Sequence, residues 1–267
     1  MCRLLGWVSD QPTTLAALLG PARLAAFSQL SHLYAVGWGL AWLDDDGRIQ
    51  RVREPRAAHD SAGYRRAVSE VRTRAAILHL RGATIGLPAS VENTHPFVAG
   101  ERAFAHNGVI KPFQEMYELL TDEERARLDG ETDSEQYFAL LSASIADRGL
   151  VAGVRDAVHR IGRDLDVTSL NAMMLTPDEL TVISSHDPAA GPSPDPNTVD
   201  PHGHFELLIE TGSDATVVAS SAWGQHEWVT LPNGVVLSLA VDGRAVQSHR
   251  IEHLDRTERG LVVSDSA

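Results

Sequence analysis

Cysteine, basic side chains and aromatic rings are all scarce in this sequence of 267 residues. Its one cysteine, Cys2, excludes an internal disulfide and a cysteine-rich zinc site, and it favours a reducing compartment. The 23 basic residues are outnumbered by 36 acidic ones, which gives a formal net charge of -13. A surface of this charge repels nucleic acid and anionic membranes, so neither is expected as a partner.

Long apolar runs and nucleotide-binding signatures are also missing. No stretch approaches the ~18 consecutive apolar residues of a membrane-spanning helix, and no G-x-x-x-x-G-K phosphate loop is present. Only five residues separate Arg3 from Ser9, which is too few for the apolar segment of a signal peptide. We therefore expect a cytoplasmic protein without a targeting segment. Apolar residues make up 43% of the chain, which is enough for a sizeable core.

The alternation of apolar and polar residues predicts an α+β domain built in layers. Three apolar stripes at helical spacing predict helices in the middle of the chain, at residues 64–71, 137–145 and 150–161. Strands dominate both ends, and turn dipeptides between the later ones indicate antiparallel hairpins. The ten predicted strands span residues 3–8, 36–43, 75–80, 102–105, 169–175, 180–184, 205–210, 216–219, 235–240 and 246–251.

A proline-rich segment interrupts the second half of the chain. Residues 186–204 contain five prolines and little apolar content, which predicts a long surface loop at about 187–204. Because strands follow it, we expect one domain over residues 2–267 rather than a domain boundary. His186, Asp187, His202 and His204 in this segment could suggest a metal site. Since they lack rigid helical spacing, we expect solvated side chains and no metal.

The position of Cys2 changes the usual interpretation of a lone cysteine as a small buried hydrophobic residue. Removal of Met1 would leave a thiol and a free α-amine on one residue. The thiol, with a pKa of ~8.5, needs a base at neutral pH, whereas an α-amine of pKa ~7.7–8.0 is partly neutral there. Cys2 could therefore supply both nucleophile and general base, as N-terminal threonine does in other enzymes.

Four motifs accompany Cys2 in a fixed order: HLRGAT at 79–84, ENTHPF at 92–97, FAHNG at 104–108 and ETDSE at 131–135. Together with MCRLLGW they resemble the class II glutamine amidotransferases. More narrowly, they are similar to the stand-alone YafJ-like branch and its γ-glutamyl-hydrolysing relatives. The resemblance runs from Cys2 to about Glu135. It implies the four-layer αββα sandwich of the N-terminal-nucleophile hydrolases, with antiparallel sheets between helix layers.

The resemblance also implies an oxyanion hole in FAHNG. Asn-Gly by itself would indicate a hairpin turn. In this family the side-chain amide of Asn107 and the backbone N–H of Gly108 are expected to converge on the oxygen of the reacting carbonyl. Such donors stabilise the negative charge that develops there during acyl transfer. Cys2, Asn107 and Gly108 are therefore the predicted catalytic residues.

The predicted substrate-binding residues recognise an α-amino acid head group. Arg81 matches the family arginine that holds the α-carboxylate of glutamine, for which a guanidinium offers a bidentate fork. Thr84 could add a hydroxyl to the same carboxylate, and His106 is placed in the same pocket. Asp133 is expected to bind the α-ammonium, although ETDSE also fits a helix capping box.

Two further stretches have structural interpretations. YAVGWGLAW at 34–42 resembles the Gly-Trp-Gly strand of the same family. Its Gly37 and Gly39 are expected to allow close backbone packing, and Trp38 is expected in the core. ENTHPF is expected to form a turn that holds the wall of the pocket.

The activity implied by the resemblance is hydrolysis of the γ-glutamyl amide of glutamine through a Cys2 thioester, without metal or cofactor. Two alternatives stay open: a hydrolase for a γ-glutamyl compound such as glutathione or an ergothioneine precursor, and a catalytically silent regulatory module. A papain-like pair of Cys2 with His79 or His106 is a weaker rival, because such cysteines usually begin a buried helix. The expected partners are a small γ-glutamyl substrate and, for ammonia transfer, an acceptor or synthetase protein.

Overall fold

The structure is a computed structural model that describes most of the chain. The described residues are 2–82, 86–189, 204–220, 223, 228–241 and 246–251. Within them the strands are β1 Arg3–Thr13, β2 Gly37–Leu43, β3 Ile49–Glu54, β4 Thr73–Arg81, β5 Phe97–Ala99, β6 Arg102–Asn107, β7 Ile110–Lys111, β8 Asp166–Val167, β9 Asn171–Leu175, β10 Glu179–Ser184, β11 Leu207–Thr211, β12 Ala215–Ser220, β13 Val229–Thr230, β14 Val235–Ala240 and β15 Val246–Arg250. The α-helices are α1 Leu15–Gln29, α2 Ala62–Glu70, α3 Phe113–Glu118, α4 Asp122–Arg125, α5 Asp133–Arg148 and α6 Leu150–Asp164.

Two antiparallel sheets contain most of the strands. The first sheet has seven strands in the order β13-β11-β12-β1-β4-β2-β3. The second sheet has six strands in the order β15-β14-β10-β9-β6-β5, and β7 pairs separately with β8. Strand β1 therefore lies at the centre of the first sheet, while β3 and β5 lie at the edges of the two sheets.

Alternation along the strands divides the core into three apolar layers. In β1, Leu5 and Trp7 pack with helices α1 and α2, whereas Leu4 and Val8 pack between the sheets. In β6, Phe104 packs on the far side, against α5. The order through the molecule is α1 and α2, the first sheet, the second sheet, then α3, α5 and α6. The four-layer αββα prediction is confirmed.

The ten predicted strands and three predicted helices are present, with small differences in their ends. The sequence patterns missed helix α1, the short helices α3 and α4, the edge strand β3 and the short strands β5, β7, β8 and β13. Helix α1 is interrupted at Gly20, whose φ is 71°, and Pro21 follows, so no continuous apolar stripe marks it. Strand β3, with the sequence IQRVRE, is polar because it lies at the edge of its sheet.

The proline-rich segment lies mostly outside the described residues, which resume at His204. The predicted surface loop therefore stays a prediction, but the expectation of solvated flanks is wrong. Asp187 and His204 are 4% and 1% exposed. The Asp187 carboxylate accepts the N–H of Ala189, and Nδ1 of His204 lies 2.9 Å from Nη2 of Arg3. These polar contacts take the place of water and allow both side chains to be buried.

Metal-binding clusters and membrane-spanning helices are both absent from the described residues. No group of three or more His, Cys, Asp or Glu side chains there is arranged to hold a metal ion. No helix among the same residues has the length and apolar character needed to cross a membrane.

The Gly-Trp-Gly strand, β2, packs closely on the ENTHPF segment. A Cβ placed on Gly39 would lie 2.2 Å from the carbonyl oxygen of His95, and one on Gly37 would lie 3.1 Å from the Thr94 side chain. Trp38 between them is fully buried among the residues that face α1 and α2. The predicted close packing at both glycines and the core position of Trp38 are confirmed.

The side chain of His95, whose carbonyl oxygen faces Gly39, is packed against other aromatic rings. It lies between His79 and Phe97, with centroid distances of 4.1 and 4.5 Å. Neither ring nitrogen of His95 has a hydrogen-bond partner in the part of the chain that the structure describes. Burial lowers the pKa of His95 well below its ordinary value, and burial lowers the pKa of His79 to about 3. Both rings are therefore neutral in the folded protein near pH 7.

The contact at Gly39 gives a first prediction. Gly39→Ala should lower the free energy of unfolding by about 1 to 3 kcal/mol, because the new methyl group would overlap a backbone oxygen that cannot rotate away. Urea denaturation monitored by circular dichroism measures the change. Gly212→Ala is the matched control, since its nearest neighbour would lie at 3.5 Å. Equal losses in the two variants would contradict the close packing.

The neutral His95 ring gives a second prediction. Below pH ~6.5 the unfolded chain protonates this histidine while the folded state does not, so stability falls as the pH falls. His95→Phe should reduce the slope of unfolding free energy against pH by up to about 1.4 kcal/mol per pH unit between pH 6 and 4.5. Denaturation at several pH values measures the slope. Gly39→Ala should keep the wild-type slope, and an unchanged slope in His95→Phe would contradict the neutral buried ring.

Candidate active site around Cys2

Cys2 lies directly before the central strand of the first sheet and is 9% exposed. Its backbone nitrogen donates a hydrogen bond of 3.1 Å to Oδ1 of Asn107, which ends β6 in the second sheet. Two residues further along, the N–H of Leu4 donates to Oγ of Ser220 in the neighbouring strand β12 at 2.8 Å. Cys2 is therefore held at the end of the gap between the two sheets.

Asn107 provides a hydrogen-bond donor that no neighbour uses. It is fully buried, on the face of β6 that it shares with Ala103 and Ala105, towards the first sheet. Its Oδ1 accepts from Cys2, but its Nδ2 has no partner among the described residues. A buried amide N–H without a partner costs about 1 to 3 kcal/mol. An oxygen atom of a ligand beside Cys2 would satisfy it.

Gly108 follows Asn107 where the chain passes close to a neighbouring backbone. A Cβ at this position would lie 1.9 Å from the carbonyl oxygen of Ser169 and 2.7 Å from Nε2 of His106. No other residue type fits there without a shift of the backbone. Packing thus gives a reason for glycine that is independent of its predicted role as an oxyanion donor, and that role stays a prediction.

Arg81 is the last residue of β4, the strand that pairs with β1. It is buried, and its Nη2 donates to the carbonyl oxygen of Pro88 at 3.1 Å. Its Nη1 is buried without a hydrogen-bond partner in the described ranges. Burial lowers the pKa of Arg81, while the charge of an ionised Cys2 sulfur acts in the opposite direction. A guanidinium donor is therefore available close to the thiol, whereas Thr84 lies outside the described residues.

Asp133 is the first residue of α5, and its carboxylate is already well coordinated. Its Oδ2 accepts the backbone N–H of Ile110 at 2.8 Å. Its Oδ1 accepts the backbone N–H of Ser134 at 2.9 Å and lies 3.3 Å from the Ser134 hydroxyl oxygen. A carboxylate has about four acceptor positions. At least one position is thus left for a further donor, which is compatible with the predicted binding of an ammonium group.

The predicted capping box at the start of α5 is only half formed. Thr132 accepts the N–H of Glu135 at 3.1 Å, as an N-cap should. The side chain of Glu135 does not bond back to Thr132. It accepts the N–H groups of Asp129 and Gly130 at 3.0 and 2.7 Å. The loop before the helix therefore occupies the Glu135 carboxylate, which in a complete capping box would accept the N–H of Thr132.

His106 lies on the opposite face of β6 from Asn107, as alternation requires. Its Nε2 donates to the carbonyl oxygen of Ser169 at 2.9 Å, so in the neutral ring Nδ1 accepts from the Ser134 hydroxyl, also at 2.9 Å. Burial lowers the pKa of His106. This arrangement supports a role in orienting Ser134 beside Asp133. Direct substrate binding by His106 gains no support from it.

A Cys–His catalytic pair is not formed in the described structure. Nε2 of His79 bonds to the carbonyl oxygen of His106 at 3.3 Å. Both ring nitrogens of His106 are occupied on the far side of β6. No hydrogen bond joins either ring to Cys2 within the described chain. Neither ring therefore makes the hydrogen bond to the thiol that a Cys–His pair requires.

Sequence reasoning missed Arg3, which contacts Cys2 directly. Its Nη1 donates to the Cys2 carbonyl oxygen at 2.9 Å, and its Nη2 lies 2.9 Å from Nδ1 of His204. The guanidinium also lies over the ring of Tyr34, 4.5 Å from the centroid. One signal was available in the sequence: Arg3 is the charged residue in the otherwise apolar run RLLGWV. Its partner His204 is 201 positions away and gave no signal.

Comparison with known proteins supports the resemblance seen in the motifs. The family described as glutamine amidotransferases class-II matches residues 1–181. A gamma-glutamyl-hercynylcysteine sulfoxide hydrolase of Mycolicibacterium smegmatis is 29% identical over 160 residues, which cover 57% of this chain and 65% of that protein. A glutamine–fructose-6-phosphate aminotransferase of Rhizobium meliloti is 29% identical over 223 residues, which cover 82% of this chain and 32% of that protein.

A solved structure agrees with the fold. The glutamine aminotransferase class-II domain protein from Silicibacter pomeroyi aligns with a TM-score of 0.65 and 19% identity, over 94% of this chain and 99% of that one. At this identity the likeness concerns the fold, the sandwich of the N-terminal-nucleophile type. The family match covers more than half of the chain and includes Cys2, Arg81, Asn107 and Asp133. This chain therefore belongs to the class II glutamine amidotransferases.

Proposed function

We propose that the protein hydrolyses the γ-glutamyl amide of glutamine through a thioester on Cys2. The observation that carries the proposal is the Asn107 side chain. Its Oδ1 binds the Cys2 nitrogen while its buried Nδ2 has no partner among the described residues. A donor that lies beside a thiol and has no partner among the described residues is suited to an oxyanion hole. The second unpartnered donor, Nη1 of Arg81, suits a substrate carboxylate.

The proposed reaction begins once Met1 has been removed. The neutral α-amine of Cys2 takes the thiol proton, directly or through one water, and remains hydrogen-bonded to Asn107. The thiolate attacks the γ-carbonyl carbon, and Asn107 with the Gly108 N–H stabilises the oxyanion. The C–N bond then breaks as the α-ammonium of Cys2 returns its proton to the leaving amine. Water attacks the γ-glutamyl thioester, and glutamate leaves as the thiol is regenerated.

The remaining polar residues of the site would bind the α-carboxylate and the α-ammonium of the substrate. Arg81, with Thr84 beside it in sequence, would hold the α-carboxylate. Asp133 would use its remaining acceptor position for the α-ammonium, while Ile110 and Ser134 keep the carboxylate fixed. A site that binds both the α-carboxylate and the α-ammonium would select glutamine or another γ-glutamyl compound. Binding of these two groups would also direct the γ-carbonyl to Cys2.

The leaving group distinguishes two versions of this function. One relative is a gamma-glutamyl-hercynylcysteine sulfoxide hydrolase, which favours a γ-glutamyl hydrolase acting on a larger amide, such as glutathione or an ergothioneine precursor. Another is an aminotransferase of glutamine, which favours release of ammonia for an acceptor or synthetase partner. A catalytically silent regulatory module is a further candidate, although the polar groups expected of an active member are present.

A substrate panel tests the proposal directly. Purified protein is incubated with glutamine, glutathione and γ-glutamyl anilide, and glutamate release is measured for each. The mature N-terminus is read by intact-mass spectrometry. We expect glutamate release only from chains that begin at Cys2. Full turnover by Cys2→Ala, or by chains that retain Met1, would refute the mechanism.

Nδ2 of Asn107 and Nη1 of Arg81, which have no partner among the described residues, give a third prediction. Loss of the first donor should act mainly on kcat, and loss of the second mainly on KM. Asn107→Ala should lower kcat by about 10²- to 10³-fold with a small change in KM, because an oxyanion donor acts mainly in the transition state. Arg81→Gln should raise KM by about tenfold or more, because a charge-assisted contact with the substrate is lost. Initial-rate kinetics on the best substrate of the panel measure both.

Arg66→Gln is the control for these variants, because Arg66 is exposed on α2 and should leave both constants unchanged. An Asn107→Ala variant with wild-type kcat would argue against the oxyanion hole, provided that its circular dichroism spectrum is native.

A further inference from the structure

A cavity separate from the candidate site lies at one edge of the sandwich, and none of the predicted site residues lines it. It has a volume of about 410 Å³ and lies where the edge strands β3 and β5 face each other, beside α5. Its remaining wall comes from the segment around residues 124–129. Volumes of this order are typical of small-molecule sites, which span about 300 to 1,000 Å³.

Four arginines line this cavity in a chain whose net charge is -13. Arg51 and Arg53 are two positions apart on β3, so their side chains share one face of the strand. Arg102 begins β6 next to the β5 edge. Arg127, the fourth, is paired with Glu123. The cavity thus brings four guanidiniums together, which the acidic composition of the protein makes unusual.

Two of these guanidiniums, those of Arg51 and Arg53, are held in place by backbone carbonyl oxygens rather than by carboxylates. Nη1 of Arg51 donates to the carbonyl oxygen of Pro96 at 3.2 Å, and Nη1 of Arg53 donates to that of Thr94 at 2.8 Å. Within the described ranges, none of Arg51, Arg53 and Arg102 forms an ion pair within 4 Å. Each guanidinium has five N–H donors, so most of the donor capacity of Arg51 and Arg53 remains.

The cavity also contains acidic side chains, but none of them forms an ion pair with Arg51, Arg53 or Arg102 within the described ranges. The carboxylate of Glu135 is buried and accepts the backbone N–H groups of Asp129 and Gly130. Asp129 and Glu124 also line the cavity, so three acidic side chains share it with three arginines that form no ion pair and with Arg127, which is paired with Glu123. Desolvation lowers the pKa of Arg53 to about 10, so this side chain still carries its charge at pH 7.

Apart from Ser142 and backbone groups, the rest of the lining is apolar. Phe97, Val98, Leu128, Phe138 and Ala139 supply it, and Phe97 and Phe138 are both core residues. An apolar lining with a few converging charged donors is the composition of a site for an organic ligand. An inorganic anion could bind the arginines, but it would leave this apolar surface exposed to water.

We propose that this cavity, the β3–β5 arginine pocket, binds a small organic anion in which a carboxylate, sulfonate or phosphate is attached to an apolar body. Arg51, Arg53 and Arg102 bind the anionic group, and the Phe97 side of the pocket takes the apolar part. Arginine suits this task because its planar fork matches a carboxylate or phosphate. The site is independent of Cys2, so it stands or falls separately from the proposed hydrolase activity.

Binding of 8-anilinonaphthalene-1-sulfonate to the full-length native protein tests the proposal, since this fluorescent probe joins one sulfonate to aromatic rings. We expect saturable binding with one probe per chain, weakened by rising salt concentration. Arg51→Gln and Arg102→Gln should each raise the dissociation constant about tenfold or more, because a charged donor is lost. Ala143→Trp should block binding sterically while keeping every charge, since Ala143 lines the cavity from the exposed side of α5.

Arg66→Gln is the matched control and should bind the probe as the wild type does. The uncharged analogue N-phenyl-1-naphthylamine should bind at least about tenfold more weakly than the sulfonate. Circular dichroism establishes that each variant is folded. Absence of saturable binding, equal affinity in the pocket variants and the control, or equal affinity for the uncharged analogue would overturn the proposal.

Discussion

The hydrogen bond from the Cys2 nitrogen to Asn107 is the contact on which the candidate site depends. It joins the start of the central strand of one sheet to the end of a strand of the other. Facing sheets are about 10 Å apart, a distance that backbone groups alone do not bridge. One short side chain therefore fixes the position of the thiol relative to the second sheet. The apolar layer between the sheets, with residues such as Leu4 and Ala105, holds the two strands at this distance.

Most of the fold could be predicted from the sequence, because the apolar alternation of interior strands is strong. Some residues of the site could be predicted from the sequence, and others could not. Motifs placed Arg81 and Asn107 at strand ends and Asp133 at a helix start, and the structure agrees. Alternation could also have separated His106 from Asn107, since adjacent strand residues face opposite sides. The contact of Arg3 with His204 could not be predicted, because it depends on how distant segments pack.

The site stores unfavourable free energy that the rest of the fold must offset. Nδ2 of Asn107 and Nη1 of Arg81 are buried donors without partners in the described chain, and each costs about 1 to 3 kcal/mol. That is a large share of a typical net stability of about 5 to 15 kcal/mol. The three apolar layers provide the compensation. Two such donors so near one thiol are more simply explained by a ligand that completes them than by poor packing.

Two acidic residues of α5 show how tertiary contacts decide what a local motif does. Asp133 and Glu135 both lie in the first turn, where the helix dipole favours negative charge. The carboxylate of Asp133 turns to the N–H of Ile110, whereas that of Glu135 turns to the loop at 129–130. The capping box failed because this loop competes for Glu135. As a result the start of α5 is fixed by its cap, by β7 and by the preceding loop, so Asp133 is oriented before any ligand arrives.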